Sequence, residues 1–215
     1  GVTLRHTDMI LYNSEQTKDD TEMYFPKAKK IPSCNAYIIS NPLTRYVPPK
    51  DENYFLYIGN MEKRKGVDIL IKAYRRYREE GGTRPLILAG LTYLGYVSHT
   101  TRYDLYNNCS CFVFPSMAEG FGMPILEVMK HNKPILASNL KIFDEVVGDC
   151  VERFSLAGDD DDKVISLANG MKNIDKKINS GLVDENAYRH ALDKYTPERL
   201  GGMVRDFINS QMNNR

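Results

Sequence analysis

The sequence predicts an α/β protein built on a doubly wound parallel sheet. Three observations carry this. Short apolar runs bounded by glycine or proline recur along the chain: FLYIG at 55–59, PLILAG at 85–90, CFVF at 111–114 and PILASN at 134–139. Such runs read as strands buried on both faces. Between them lie segments of helical period, and each strand leads into a glycine-bearing or polar loop, as in a parallel sheet with helical crossovers. The composition is that of an ordinary globular chain: 215 residues, 42% hydrophobic and 27% charged, enough to bury a full core. A formal charge of +1 gives no electrostatic footprint for nucleic acid. No apolar run approaches the roughly 20 residues of a membrane span, and GVTLRHTD lacks a signal-peptide core, so the expected location is cytoplasmic. Four cysteines, Cys34, Cys109, Cys111 and Cys150, have no zinc-ligand spacing and read as reduced core or near-core residues.

In chain order, a first strand is expected over Met9 to Tyr12, then a helix capped by Ser14 and running to about Phe25. A second strand is expected over Ala36 to Ser40. It leads through Asn41-Pro42 into a proline-rich stretch ending at Pro48 and Pro49, which reads as a hinge. After strand Phe55–Gly59 comes a polar loop, Asn60 to Lys65. Val67, Leu70, Ile71, Tyr74 and Tyr77 then mark the apolar face of a helix that stops at Gly81-Gly82. Its outer cations, Lys72, Arg75, Arg76 and Arg78, read as a solvated face. In the loop, Arg64 and Lys65 precede the helix start, where an anion meets both cations and the dipole.

PLILAG and TYLGYV (92–97) read as consecutive strands joined by Leu91 alone. Parallel neighbours need a crossover of about a dozen residues, so a helical segment absent from this numbering is expected between Gly90 and Tyr93. A helix follows over about Thr101 to Asn107, then the central strand.

That strand opens onto PSMAEGFGMPILEVM, from Pro115 to Met129, the most informative stretch of the chain. Glu119 sits in the loop at the strand's C-terminal end. Gly120 and Gly122 let backbone come close to a ligand, and Pro124 pre-sets a first helical turn from which Glu127 projects. Two acceptor-only carboxylates beside a helix N-terminus suit a molecule carrying both hydroxyls and phosphates. The helix is expected to end at His131-Asn132-Lys133, before Pro134. The run Asp159 to Asp162 reads as the negatively charged start of a helix over about 162–171 rather than a metal cage. The last helix has Thr196 as cap, Pro197 at its first position and Leu200, Met203, Val204, Phe207 and Ile208 as its apolar face. A kink is expected at Gly201-Gly202.

EGFGMPILE resembles the signature of the retaining, nucleotide-sugar-dependent glycosyltransferases of the GT-B fold, family four, whose motif is two glutamates separated by seven residues. The resemblance spans about Met9 to Ile208 and implies the C-terminal half of a GT-B fold, Rossmann-like. It places the transferred sugar on Glu119, the ribose hydroxyls on Glu127, and sugar and diphosphate on the backbone of Gly120, Phe121, Gly122 and Met123. Lys65 matches the family's lysine-glycine diphosphate ligand, and Arg64 adds charge. Gly59 and Asn60 close the strand where the family commonly has an arginine after the glycine, so Asn60 is a departure. GYVS, Gly95 to Ser98, matches the nucleobase loop, which makes Tyr96 and Val97 the base-contact candidates. FDEVVGDC, 143–150, also resembles the family.

The implied domains are 1–40, the tail of an N-terminal acceptor domain lying mostly outside this chain; 41–190, the donor-binding domain; and 191–215, a helix crossing back. The implied reaction moves a hexosyl group from a nucleoside diphosphate sugar to a glycan or lipid-linked acceptor, with no metal or other cofactor. The remaining N-terminal domain would be the route to peripheral membrane association. His6, His99, His131 and His190 match no family position. Three alternatives stand beside this reading: a sugar-nucleotide epimerase, a phosphorylase and a catalytically silent binding subunit. A dinucleotide oxidoreductase is disfavoured because no G-x-G-x-x-G follows a strand.

Overall fold

The computed structural model describes residues 10–12, 15–31, 33–35, 53–90, 99–178 and 183–213. The chain clusters into two compact units, Gly1–Leu43 with Ala191–Arg215, and Thr44–His190.

The second unit is the parallel sheet. Its described strands are β3 (Phe55–Ile58), β4 (Leu86–Ala89), β5 (Cys111–Phe114), β6 (Ile135–Ser138) and β7 (Glu152–Phe154). They lie in the order β4-β3-β5-β6-β7, with every pairing parallel. The first two strands of the unit are thus exchanged in space. From β3 the chain moves outward to β4, then returns past β3 to β5 on its other side. In a doubly wound sheet this reversal opens a crevice beyond the strands' carboxyl ends. Here it falls between β3 and β5, so the loops after Ile58 and Phe114 face each other.

The strands alternate in what they bury. Phe55, Tyr57, Cys111, Val113 and Leu136 join the core under α2 (Val67–Glu79) and α6 (Asp160–Lys177). Phe112 meets the Tyr106 ring of α3 (His99–Asn108), and Phe114 meets Phe143 of α5 (Lys141–Val147). Both faces are covered, so β3, β5 and β6 are buried along their whole length, as their apolar runs predicted, whereas β4, at the edge of the described sheet, is only partly buried at Leu86, Ile87 and Leu88.

Several boundaries move. The buried face of α2 includes Ile69 and Ala73 beside Val67, Leu70 and Tyr77, while Ile71 and Tyr74 are only partly covered. The helix ends one residue before its cap, Glu80. Gly82 then passes over the Tyr77 ring, where an added Cβ would lie 2.2 Å from Cζ. α6 starts earlier than expected, at Asp160. Its cap is Asp159, whose carboxylate accepts from Asp161 and Asp162 amides, while the Asp162 carboxylate accepts from the Asp159 amide. The aspartate run is therefore a capping box. α5, β7 and α7 (Glu185–Asp193) were not anticipated; ERF is too short and too charged to signal a strand. The Gly90 to Tyr93 connection and the TYLGYV strand lie outside the described residues.

Beneath α2 and α6 a buried polar knot ties the unit. Arg84 donates through Nε to Asp175 Oδ1 at 2.9 Å and through Nη1 to Ser110 Oγ at 2.6 Å, and Tyr77 Oη donates to Asp175 Oδ2 at 2.7 Å. Arg84 is 7% exposed.

In the first unit, β1 (Ile10–Tyr12) pairs in parallel with β2 (Ser33–Asn35), and α1 (Glu15–Tyr24) connects them. The second strand was expected at Ala36 to Ser40. The described strand lies at Ser33–Asn35, SCN, and the expected stretch 36–40 lies outside the described residues. α8 (Pro197–Asn213) lies against β2 and runs unbroken through Gly201-Gly202, with no break at the expected kink. Leu200 is buried, whereas Met203 and Ile208 of the same expected face are exposed. No described helix is long and apolar enough to cross a membrane.

Candidate functional site

The crevice is built from two loops that lock together. After β3, the Gly59 amide donates to the Ala89 carbonyl at 2.9 Å and Tyr57 Oη donates to the Asn60 carbonyl at 2.7 Å. Burial, then the charge of Glu119, holds the Tyr57 hydroxyl above its ordinary range, so it remains a donor. Side chains are excluded where the strand ends meet: a Cβ at Gly90 would lie 1.9 Å from the Gly59 carbonyl oxygen. The chain then makes one 3₁₀ turn, Lys63–Lys65, closed by Gly66 at φ 67°. A Cβ at Gly66 would lie 2.1 Å from the Pro115 carbonyl oxygen, and the Met117 amide donates to the Arg64 carbonyl at 2.7 Å. The loop after β3 is therefore docked, backbone to backbone, on the loop after β5.

This docking brings Lys65 to Glu119 across 54 positions of sequence. Lys65 Nζ donates to Glu119 Oε1 in an ion pair whose side chains are only 16% and 10% exposed. The ammonium also stands 5.9 Å above the Phe114 ring, a cation–π distance. Ser116 Oγ donates to the same carboxylate oxygen at 2.8 Å, and Ser138 Oγ donates to the Ser116 carbonyl at 2.6 Å. Both serines are fully buried. Sequence reasoning singled out neither. Ser116 lies within the quoted motif, but a hydroxyl in a loop carries no signal until its acceptor is placed.

Beyond Glu119, Gly120 is exposed while Phe121 and Gly122 are buried. Gly122 caps α4 (Met123–Met129) at φ 87°, and a Cβ there would lie 2.7 Å from Phe143 Cε1. The first helical residue is Met123 rather than Pro124, because the left-handed Gly122 takes the capping position and proline fills the second. Glu127 is consequently the fifth residue of the helix, past its first turn. Its carboxylate accepts from Tyr106 Oη at 3.1 Å and lies 3.7 Å from Arg102 Nη1, both on α3. Burial, then Glu127, raises the Tyr106 hydroxyl far above its ordinary range and keeps it a donor. Arg102 and Tyr106 were also missed. Glu127 calls for donors, but the sequence does not say that α3 supplies them.

Other expected site residues fall elsewhere. The Arg64 guanidinium does not join Lys65; its Nε donates to Glu62 Oε2 at 2.6 Å, and half of the side chain is exposed. Asn60 Nδ2 donates to the other oxygen of Glu62, also at 2.6 Å. Glu62 thus neutralises the cation expected to reinforce the diphosphate site. Tyr96 and Val97 lie outside the described residues. The predicted end of α4 at His131 to Lys133 is a turn. There the His131 ring packs on Tyr103 and Tyr106, and burial with Lys133 and Lys130 lowers its pKa to about 4. Among the described residues no three His, Cys, Asp or Glu side chains gather as metal ligands, and Cys109, Cys111 and Cys150 are thiols.

The fold is a doubly wound, Rossmann-like α/β sheet with a lysine–glutamate ion pair at its switch point and a glutamate on the helix that follows. The chain belongs to the glycosyl transferases group 1 family, whose model matches residues 52–174, and it carries the C-terminal domain of a GT-B glycosyltransferase. It is 39% identical over 120 residues to O-antigen chain mannosyltransferase B of Escherichia coli, a match covering 46% of this chain and 32% of that one. It is 26% identical over 144 residues to O-antigen chain mannosyltransferase RfbU of Salmonella typhimurium, covering 56% and 40%. Among solved structures, sucrose-phosphate synthase from Thermosynechococcus elongatus superposes with a TM-score of 0.70 at 16% identity, over 100% of this chain and 61% of that one. The pneumococcal O-GlcNAc transferase GtfA, solved with UDP and GlcNAc, gives 0.69 at 12% identity, over 96% and 46%. At such identities these two share the fold. The chain thus spans about a third to two-fifths of the length of these mannosyltransferases and about half to three-fifths of these solved chains.

Proposed function

We propose that this chain is the donor-binding part of a retaining glycosyltransferase that transfers a hexosyl group from a nucleoside diphosphate sugar to a glycan or lipid-linked acceptor without a metal. The observation that carries the reading is the Lys65–Glu119 pair at the switch point: the expected diphosphate ligand and the expected sugar ligand converge from opposite loops. Lys65, with the backbone of Gly120 to Met123, would take the departing diphosphate, where donors aimed at developing charge lower the barrier. Glu119 would orient the sugar and offset positive charge at its anomeric carbon. Glu127, fixed by Tyr106 and Arg102, would accept the ribose hydroxyls. The two mannosyltransferase relatives support a mannosyl donor. The segment 1–40 is proposed as the tail of an acceptor domain, and 191–215 as the helix returning to it.

Calorimetric titration of this chain with UDP, GDP and ADP in EDTA, beside Glu127→Ala, tests the proposal. One nucleotide is expected to bind without metal, GDP first among them, and to lose at least tenfold in the variant. Binding of none by the folded chain, or binding that needs a divalent ion, refutes it.

A further inference from the structure

Among the described residues, both hydrogen bonds to the Glu119 carboxylate fall on one oxygen. Oε1 accepts from Ser116 Oγ and from Lys65 Nζ, which leaves Oε2 as the atom to offer a ligand hydroxyl. The two donors differ in how firmly they are held. Lys65 stands at the end of a four-carbon stem, 16% exposed, and its ammonium is also the group that a diphosphate would claim. A diphosphate carries more charge than a single carboxylate, so an arriving donor draws Lys65 away from Glu119. Ser116 cannot follow. Its side chain is fully buried, its carbonyl is bonded by Ser138 Oγ at 2.6 Å, and the next amide, of Met117, is bonded to the Arg64 carbonyl at 2.7 Å.

Resting on the donor-site reading, we propose that Ser116 is a positioning residue: it keeps the Glu119 carboxylate oriented once Lys65 has left it for the diphosphate, so that Oε2 meets the sugar. The exchange also makes the site discriminate. A bare nucleoside diphosphate takes Lys65 and leaves Glu119, a carboxylate 10% exposed, with one donor fewer and nothing in return. A sugar-bearing donor takes Lys65 but returns a hydroxyl to Oε2. The ion pair therefore opposes the product more than the substrate, and the Ser116 bond is what allows the returned hydroxyl to find its acceptor.

The readout is a ratio: the affinity for a nucleotide sugar divided by that for the same nucleotide without sugar. It is measured by calorimetry on the full chain with GDP and GDP-mannose, and with UDP and UDP-glucose. Ser116→Ala is expected to lower this ratio about tenfold, a difference of about 1.4 kcal/mol. Glu119→Gln, a half-step change that keeps the shape of a side chain near the surface of the crevice, removes the carboxylate's hold on Lys65. It is expected to bind the bare diphosphate at least threefold more tightly than the wild type while its ratio falls. A loose loop would weaken both ligands in parallel and leave the ratio unchanged, which overturns the proposal, as does a Glu119→Gln affinity for bare diphosphate equal to or below that of the wild type. A wild-type chain that binds neither nucleotide nor nucleotide sugar overturns the donor-site reading and the proposal with it.

Discussion

Gly66→Ala probes the contact that creates the site. Gly66 has φ 67°, in the left-handed region, where a Cβ costs an L-residue about 1 kcal/mol or a little more. The methyl would also lie 2.1 Å from the Pro115 carbonyl oxygen. That neighbour is backbone, so the overlap is relieved only by parting the two loops, which strains the Met117-to-Arg64 hydrogen bond at 2.7 Å. Overpacking of this kind costs about 1–3 kcal/mol, so the expected loss of stability is about 3 kcal/mol. Gly81 supplies the control: its φ is 93° but a Cβ would meet nothing within 4 Å, so Gly81→Ala should cost only the strain, about 1 kcal/mol. Urea denaturation followed by circular dichroism gives both numbers, and nucleotide titration gives the second consequence. Because Lys65 moves with the loop, Gly66→Ala should also bind nucleotide at least tenfold more weakly, whereas Gly81→Ala binds normally. Equal destabilisation by the two variants, or a destabilised Gly66→Ala with wild-type affinity, would refute the claim that this glycine docks the loops.

Two further outcomes follow from buried polar groups. Asp175→Ala strips Arg84 Nε and Tyr77 Oη of their acceptors and leaves a guanidinium 7% exposed without its counter-ion, hydrogen-bonded only to Ser110 among the described side chains; a loss of about 3 kcal/mol in chemical denaturation is expected, with nucleotide affinity unchanged. For His131 the folded pKa is about 4 against 6.5 for an ordinary histidine, lowered by burial first and by Lys133 and Lys130 next. The neutral ring is favoured in the fold, so its contribution is full above pH 6.5 and is lost as pH falls towards 4. At full burial this would reach about 3 to 4 kcal/mol; the partly open ring brings it to about 2 kcal/mol. His131→Phe, which keeps the packing on Tyr103 and Tyr106, should lose correspondingly less stability than the wild type between pH 6.5 and 4 in parallel urea titrations.

What the sequence disclosed follows the physics of each segment. Phe55–Ile58, Cys111–Phe114 and Ile135–Ser138 are central strands covered on both sides, so they are apolar along nearly their whole length, with Ser138 the exception, and that is visible without partners. Glycines at 66 and 122 are likewise legible, because they sit where the chain turns left-handed before a helix. β2 is the converse case: Ser33–Asn35 forms a strand through its parallel register with Ile10–Tyr12, and Ser-Cys-Asn does not announce a ladder whose other half lies 23 positions upstream; the strand expected at Ala36 to Ser40 lies outside the described residues. The helix expected over about Thr101 to Asn107 forms as α3, His99–Asn108, but what it buries was not legible: Tyr106, Asn107 and Asn108 turn inward rather than aliphatic residues, so the buried face has no hydrophobic period to read.

The site divides in the same way. Its carboxylates were legible because Glu119 and Glu127 lie in one short motif, and Lys65 because it precedes a helix start in a lysine-glycine pair; that Lys65 meets Glu119, and that Tyr106 and Arg102 meet Glu127, was not, because those partners come from other crossovers. Lys65 lies 54 positions before Glu119, Tyr106 lies on the helix before the strand, and Ser138 lies on the strand after it. A parallel sheet makes this unavoidable. Its strands run in one direction, so every loop at the carboxyl edge is separated from the next by a helix and a return strand. Partners across the crevice are thus distant in sequence, and sequence adjacency does not say what a side chain meets: Arg64, next to Lys65 in the chain, donates to Glu62, two residues away, while Lys65 reaches Glu119.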